Sequence, residues 1–150
     1  MSDESAREVY RALREAQNRY TYFLLAAAAA AISVALNQTE TATLRAAHAP
    51  LGAAVLSWGV SFFCGCRNLV YVSSSLYANA ELLRVQGGQH PGVGQDRELM
   101  GAASDGIRAA LETNSNRANR NGHWQFRFLV VGALLYIGWH VGQMYLRTWP

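Results

Sequence analysis

The sequence predicts an all-α integral membrane protein in which three transmembrane helices carry long cytoplasmic extensions that form a helical bundle. Three observations point there. Apolar segments of spanning length stand at residues 20–36, 51–70 and 124–145. The polar stretches beside them keep their apolar residues at helical spacing. Arginines crowd the first and third polar stretches and almost avoid the second. The mean hydropathy of −0.01 hides this pattern because polar segments dilute the apolar ones. Only 15% of the 150 residues are charged, against about 25% in an average soluble domain.

Residues 1–19 read as a cytoplasmic amphipathic helix. Ala6, Val9, Leu13, Ala16 and Tyr20 step by three and four, while Arg7, Arg11, Arg14 and Arg19 are balanced by Asp3, Glu4, Glu8 and Glu15. Those acids weaken attraction to anionic lipid, so the stripe is expected to meet a partner helix. The same four acids are wrong for the basic leader of a signal peptide.

The first span, 20–36, opens with Tyr20, Tyr22 and Phe23 and contains six consecutive alanines, Ala26 to Ala31. That smooth surface lets a neighbouring helix approach closely. Residues 37–50 read as an external loop with only Glu40, Arg45 and His48 ionisable, and Pro50 suits the first turn of the next helix.

The chain is organised around the helix predicted over residues 51–86. Residues 51–66 carry no charge, and Arg67 with Asn68 marks the inner boundary of the span at 51–70. Leu69, Val72, Leu76 and Leu83 continue at helical spacing until Gly87 and Gly88 end the run. After a turn rich in glycine, Asp96 is the expected N-cap of a returning helix whose stripe is Leu99, Ala103, Ile107, Ala110 and Leu111. Residues 71–123 thus form a cytoplasmic hairpin, with Leu13, Leu76, Leu83 and Ile107 expected to pack together. Asparagine is a poor helix former, so Asn114, Asn116, Asn119 and Asn121 point to a break or bend before the third span. That span, 124–145, is bounded by Trp124, Tyr145 and Trp149 and followed by an external tail, 146–150.

All 13 basic residues are arginine, and eleven fall inside if the N-terminus is cytoplasmic and the C-terminus outside. The reverse arrangement would put eleven outside, so the inner membrane with a cytoplasmic N-terminus is the expected location.

Two sets of residues could carry function. Ser57, Ser61, Cys64, Asn68, Val72, Ser75 and Asn79 share one side of the central helix, and Tyr136, His140, Gln143 and Arg147 share a face of the third span. Such a stripe lines either a water-accessible pore or a tight helix interface, to which the Gly138 and Gly142 pair would contribute. Separately, Arg67, Arg117, Arg120, His123 and Arg127 gather at the inner boundary, where guanidinium groups suit lipid headgroups or another anionic ligand.

The remaining chemistry is sparse. Cys64 and Cys66 point to different sides of a helix and cannot chelate one metal together. No Gly-rich phosphate loop, HExxH, GxSxG or paired-carboxylate motif is present, so neither an enzyme nor a cofactor is expected. A net charge of +3 does not argue for nucleic acid. The expected function is that of a small inner-membrane protein of bacterial type that homo-oligomerises through transmembrane and cytoplasmic helices and encloses a pore or ion channel. The alternative is a membrane anchor or scaffold that presents its hairpin to a cytoplasmic protein partner.

Overall fold

Long runs of alanine, leucine and arginine without an internal proline favour uninterrupted helix, and the first helix extends from Asp3 to Thr39. The structure, a computed structural model, describes residues 3–39 and 46–148, with the side chains of residues 3–7, 10 and 46 left undescribed. Glu40, Arg45, Trp149 and Pro150 lie outside the described residues, and so does the side chain of Ala6. Helix α1 is Asp3–Thr39, a single 3-10 turn covers Ala46–His48, α2 is Ala49–Gln86 and α3 is Arg97–Thr148. No strand occurs among the described residues. All three helices are long and apolar enough to cross a membrane.

Local chemistry explains the boundaries. Pro50 sits in the first turn of α2, where its missing N–H costs nothing. At the other end, Gly88 adopts φ +64°, and the amides of Gly88 and Gln89 donate to the carbonyls of Val85 and Arg84. Asp96 caps α3: its Oδ1 accepts from the amides of Glu98 at 2.9 Å and Leu99 at 3.3 Å.

The expected break among the asparagines does not occur, because α3 runs unbroken for 52 residues. Each asparagine costs a helix at most about 0.7 kcal/mol relative to alanine. Asn121 follows the helix rather than competing with it, donating from Nδ2 to the Arg117 carbonyl one turn earlier at 2.7 Å.

The chain divides into two compact units. One comprises Met1–Gly65 and Gly122–Pro150, and the other is Cys66–Asn121. In the first unit, Thr21 meets Gln125 and Gln38 meets Tyr136, so α1 and α3 run parallel. The first part of α2 runs against both, with Ser61 beside Gln125 and Trp58 beside Leu129. Its core is Ala35, Leu51, Ala54 and Trp58, flanked by Ile32, Leu129, Leu135 and Trp139. The second unit is a helical hairpin closed by the turn at residues 87–96. Val85 and Ser104 are its buried side chains among the described residues.

Burial along each helix alternates in steps of three and four. On α1 the inward positions are Asn18, Thr21, Leu25, Ala28, Ile32, Ala35 and Thr39. On α2 they are Leu51, Ala54, Trp58, Ser61, Gly65, Asn68, Val72 and Ser75. The pattern continues on α3 from Met100 through Ser104, Ile107, Leu111, Asn114, Ala118, Asn121, Gln125, Phe128, Gly132, Leu135 and Trp139. This 3.5-residue period is that of left-handed coiled-coil packing.

It also corrects one expectation. Within the hairpin unit Leu76 and Leu83 are 45% and 68% exposed and only Ile107 is half-buried, so these three do not form one packed cluster; Leu13, in the other unit, is 58% exposed. On α2 the 3.5-residue register turns Val72 and Ser75 inward and leaves the two leucines outside it, while Val85, buried near the helix end, stands one position off that register.

Candidate functional site

The stripe on α2 meets α3 through small residues, which let the two backbones approach. Ser61 is fully buried and donates its hydroxyl to the Gln125 carbonyl at 2.7 Å. One turn further, a Cβ placed on Gly65 would lie 2.5 Å from Gln125 Nε2 and 2.7 Å from Leu25 Cδ2. One turn earlier, Trp58 Nε1 donates to the Leu129 carbonyl at 3.2 Å. The indole edge lies so near Gly132 that a Cβ there would come within 2.5 Å of Nε1. Serine, glycine and tryptophan interlock because each bulky group on one helix faces a missing side chain on the other.

Gln125 sits at the centre of this contact and is 1% exposed. Its Nε2 reaches the Thr21 carbonyl of α1 at 3.4 Å, and its buried Oε1 has no hydrogen-bond partner among the described residues. An orphaned buried acceptor costs about 1–3 kcal/mol. The glutamine thus ties α1, α2 and α3 together at a price in stability.

The other residues of the stripe are distributed differently. Ser57, Cys64, Asn68, Val72 and Ser75 are half-buried, and Asn79 is exposed. Ser75 donates to the Tyr71 carbonyl of its own helix. On α3, Tyr136 donates to Gln38 Oε1 at 2.7 Å and its ring lies 5.8 Å from Trp58 and 6.3 Å from His140. His140 is exposed and stacks on Tyr136, while Arg147 is exposed. Gln143 lines an apolar groove of about 380 Å³ together with Pro50, Leu135, Gly138, Trp139 and Gly142.

The arginine set draws on both units. In the hairpin unit, Arg67 of α2 donates to the Tyr71 hydroxyl and stacks over its ring at 5.1 Å from the centroid. Arg117 of α3 lies over the same ring at 5.8 Å. In the other unit, Arg127 stacks on Trp124 at 5.4 Å, and His123 is exposed. Arg120, on the hairpin part of α3, is exposed as well.

Sequence reading missed Gln125, Trp58 and Tyr71. Gln125 carried a usable signal: an uncharged amide one residue inside the third apolar segment is expensive unless it is buried against a neighbour. Among the described residues, no group of three or more histidines, cysteines or carboxylates is placed to hold a metal ion. No protein-family model, curated protein or solved structure matches this chain.

Proposed function

We propose that the chain is a multi-pass inner-membrane protein that self-associates through helix faces its own fold leaves uncovered. Helix α3 has 52 residues, whereas about 20 helical residues suffice to cross a hydrocarbon core of about 30 Å. Much of it therefore projects beyond the bilayer. The positive-inside rule supports placing the arginine-rich hairpin in the cytoplasm with the N-terminus, and the C-terminus outside.

The observation that carries self-association is the exposed pair Leu76 and Leu83 on the projecting part of α2. They lie seven residues apart, hence on one face, with exposed Ala80 between them. A two-helix hairpin has too little interior to satisfy such a face, and in water it calls for another surface. On α1, Val9, Leu13 and Ala16 form a second uncovered face of the same kind. A second copy supplies both. Burial of Ser61 against Gln125 favours reading the α2 stripe as helix contact rather than pore lining.

In mild detergent the full-length protein is expected to run as a defined oligomer, and Leu76→Asp with Leu83→Asp should shift it to smaller species while helicity persists. A wild-type monomer overturns the proposal. Flux through liposomes holding the intact oligomer separates the readings further: conduction supports a pore, and its absence supports the scaffold. Orientation has its own measurement, in variants whose native cysteines are replaced. A cysteine at Gly92 should label only from the cytoplasmic side and one at Ala47 only from outside, and labelling of Gly92 from outside would reverse the topology.

A further inference from the structure

We propose that Arg67, Tyr71 and Arg117 form a binding site for a phosphate group, the headgroup of an anionic phospholipid being its source where the inner boundary of the membrane meets α2. The geometry is that of two cations held on one aromatic ring. The Arg67 guanidinium carbon lies 5.1 Å from the Tyr71 centroid and that of Arg117 lies 5.8 Å from it. Cation–π contact fixes both side chains in place before a ligand arrives. Bringing two like charges to one ring is unfavourable unless a counter-charge joins them.

No carboxylate of the hairpin supplies it. Arg84 pairs with Glu81 and Arg108 with Asp105, but no ion pair engages Arg67 or Arg117 among the described residues. Sequence explains why: α2 has no acidic residue from 49 to 80, and α3 has none from 113 to 148. These two arginines stand in a stretch of the hairpin emptied of acids.

The donor set suits phosphate. Each guanidinium offers a planar fork that matches two phosphate oxygens, which an ammonium cannot do. The Tyr71 hydroxyl accepts from Arg67, so its own proton is free to donate to a third oxygen. Asn121 and Ser75 bond to the carbonyls of Arg117 and Tyr71, which steadies the backbone beneath both groups. The membrane placement proposed above bears on where the phosphate comes from, whereas the chemistry of the site stands without it.

The test uses the full-length protein in detergent, with bound lipid read by native mass spectrometry against added phosphatidylglycerol, phosphatidylcholine or inorganic phosphate. Wild type should retain phosphatidylglycerol over phosphatidylcholine. Arg67→Gln with Arg117→Gln should weaken that retention about ten-fold, while Arg108→Gln, which removes a charge already paired, should leave it unchanged. Tyr71→Phe keeps the ring and loses the hydroxyl, so it should weaken binding about two- to five-fold, and it guards against misfolding of the double variant. Displacement of the lipid by millimolar inorganic phosphate supports the site and assigns it to a soluble phosphate; resistance to displacement supports it and assigns it to the headgroup. Equal retention by wild type and the arginine double variant, or no anion preference in wild type, overturns the proposal. Because retention is read separately for each oligomeric species, a monomeric protein would defeat self-association without touching this result.

Discussion

Trp58→Ala is expected to be the most damaging single truncation among the described residues, lowering stability by about 3 kcal/mol. Trp58 is 4% exposed, belongs to the core with Ala35, Leu51 and Ala54, and closes the gap to α3 by donating to the Leu129 carbonyl. Its removal loses the packing of a whole indole and one hydrogen bond. With the membrane placement proposed above, the lost energy is contact between well-fitted atoms rather than exclusion of water, which places the cost at the lower end of the range for tryptophan. Thermal unfolding in detergent, followed by circular dichroism, should show the drop in Tm. Phenylalanine at the same position keeps most of the volume and should recover more than half of it. An unchanged Tm for Trp58→Ala would mean that this contact does not hold the helices together.

Gly132→Val is expected to cost about 1–3 kcal/mol, the usual range for overpacking, through the same contact approached from the other side. The added carbon would meet Nε1, Cδ1 and Cε2 of Trp58, all within 3 Å. An indole is rigid, so the helices must separate. Gly65→Ala provides the comparison: its Cβ meets the ends of two flexible side chains, Gln125 and Leu25, rather than a rigid ring, so its cost should be smaller even though the Gln125 bond to the Thr21 carbonyl must give way. Combining Gly132→Val with Trp58→Ala should destabilise less than the two changes summed, since each relieves the other's fault. Strict additivity would show that the two side chains do not touch in the folded protein.

Much of the architecture was legible because membrane-length apolar runs and turn residues are strong signals. The hairpin turn follows from Gly87 and Gly88, and the start of α3 from Asp96, each for a stated stereochemical reason. Inside and outside were harder to tell apart. In a chain whose outer surface is also apolar, hydrophobicity no longer marks the core, and the inward positions of α3 include Asn114, Asn121 and Gln125 while Leu134, Ile137 and Leu146 point outward. Leu76 and Leu83 misled for the same reason: they look like core residues and occupy the wrong phase of the repeat. The stripe containing Ser61 was visible from spacing alone, but its hydrogen bond to Gln125 depends on where α3 passes, which no spacing within α2 encodes. Tyr71 escaped notice because a tyrosine gathers two arginines only when residues 46 positions apart are folded together.

The 3.5-residue repeat in α3 makes chain length a matter of phase. Adding or deleting one residue of α3 between Gln125 and Gly132 would swing Gly132 by about 100° relative to Gln125. Gly132 would leave its place under the indole and a bulky neighbour would take it. A change of seven residues returns each side chain to the same azimuth, provided α2 changes by the same amount beside the turn. Within the unit of residues 66–121, α2 and α3 keep their facing positions only if both change by the same whole number of heptads, whereas the turn at residues 87–96 lies outside the repeat and is free to lengthen residue by residue.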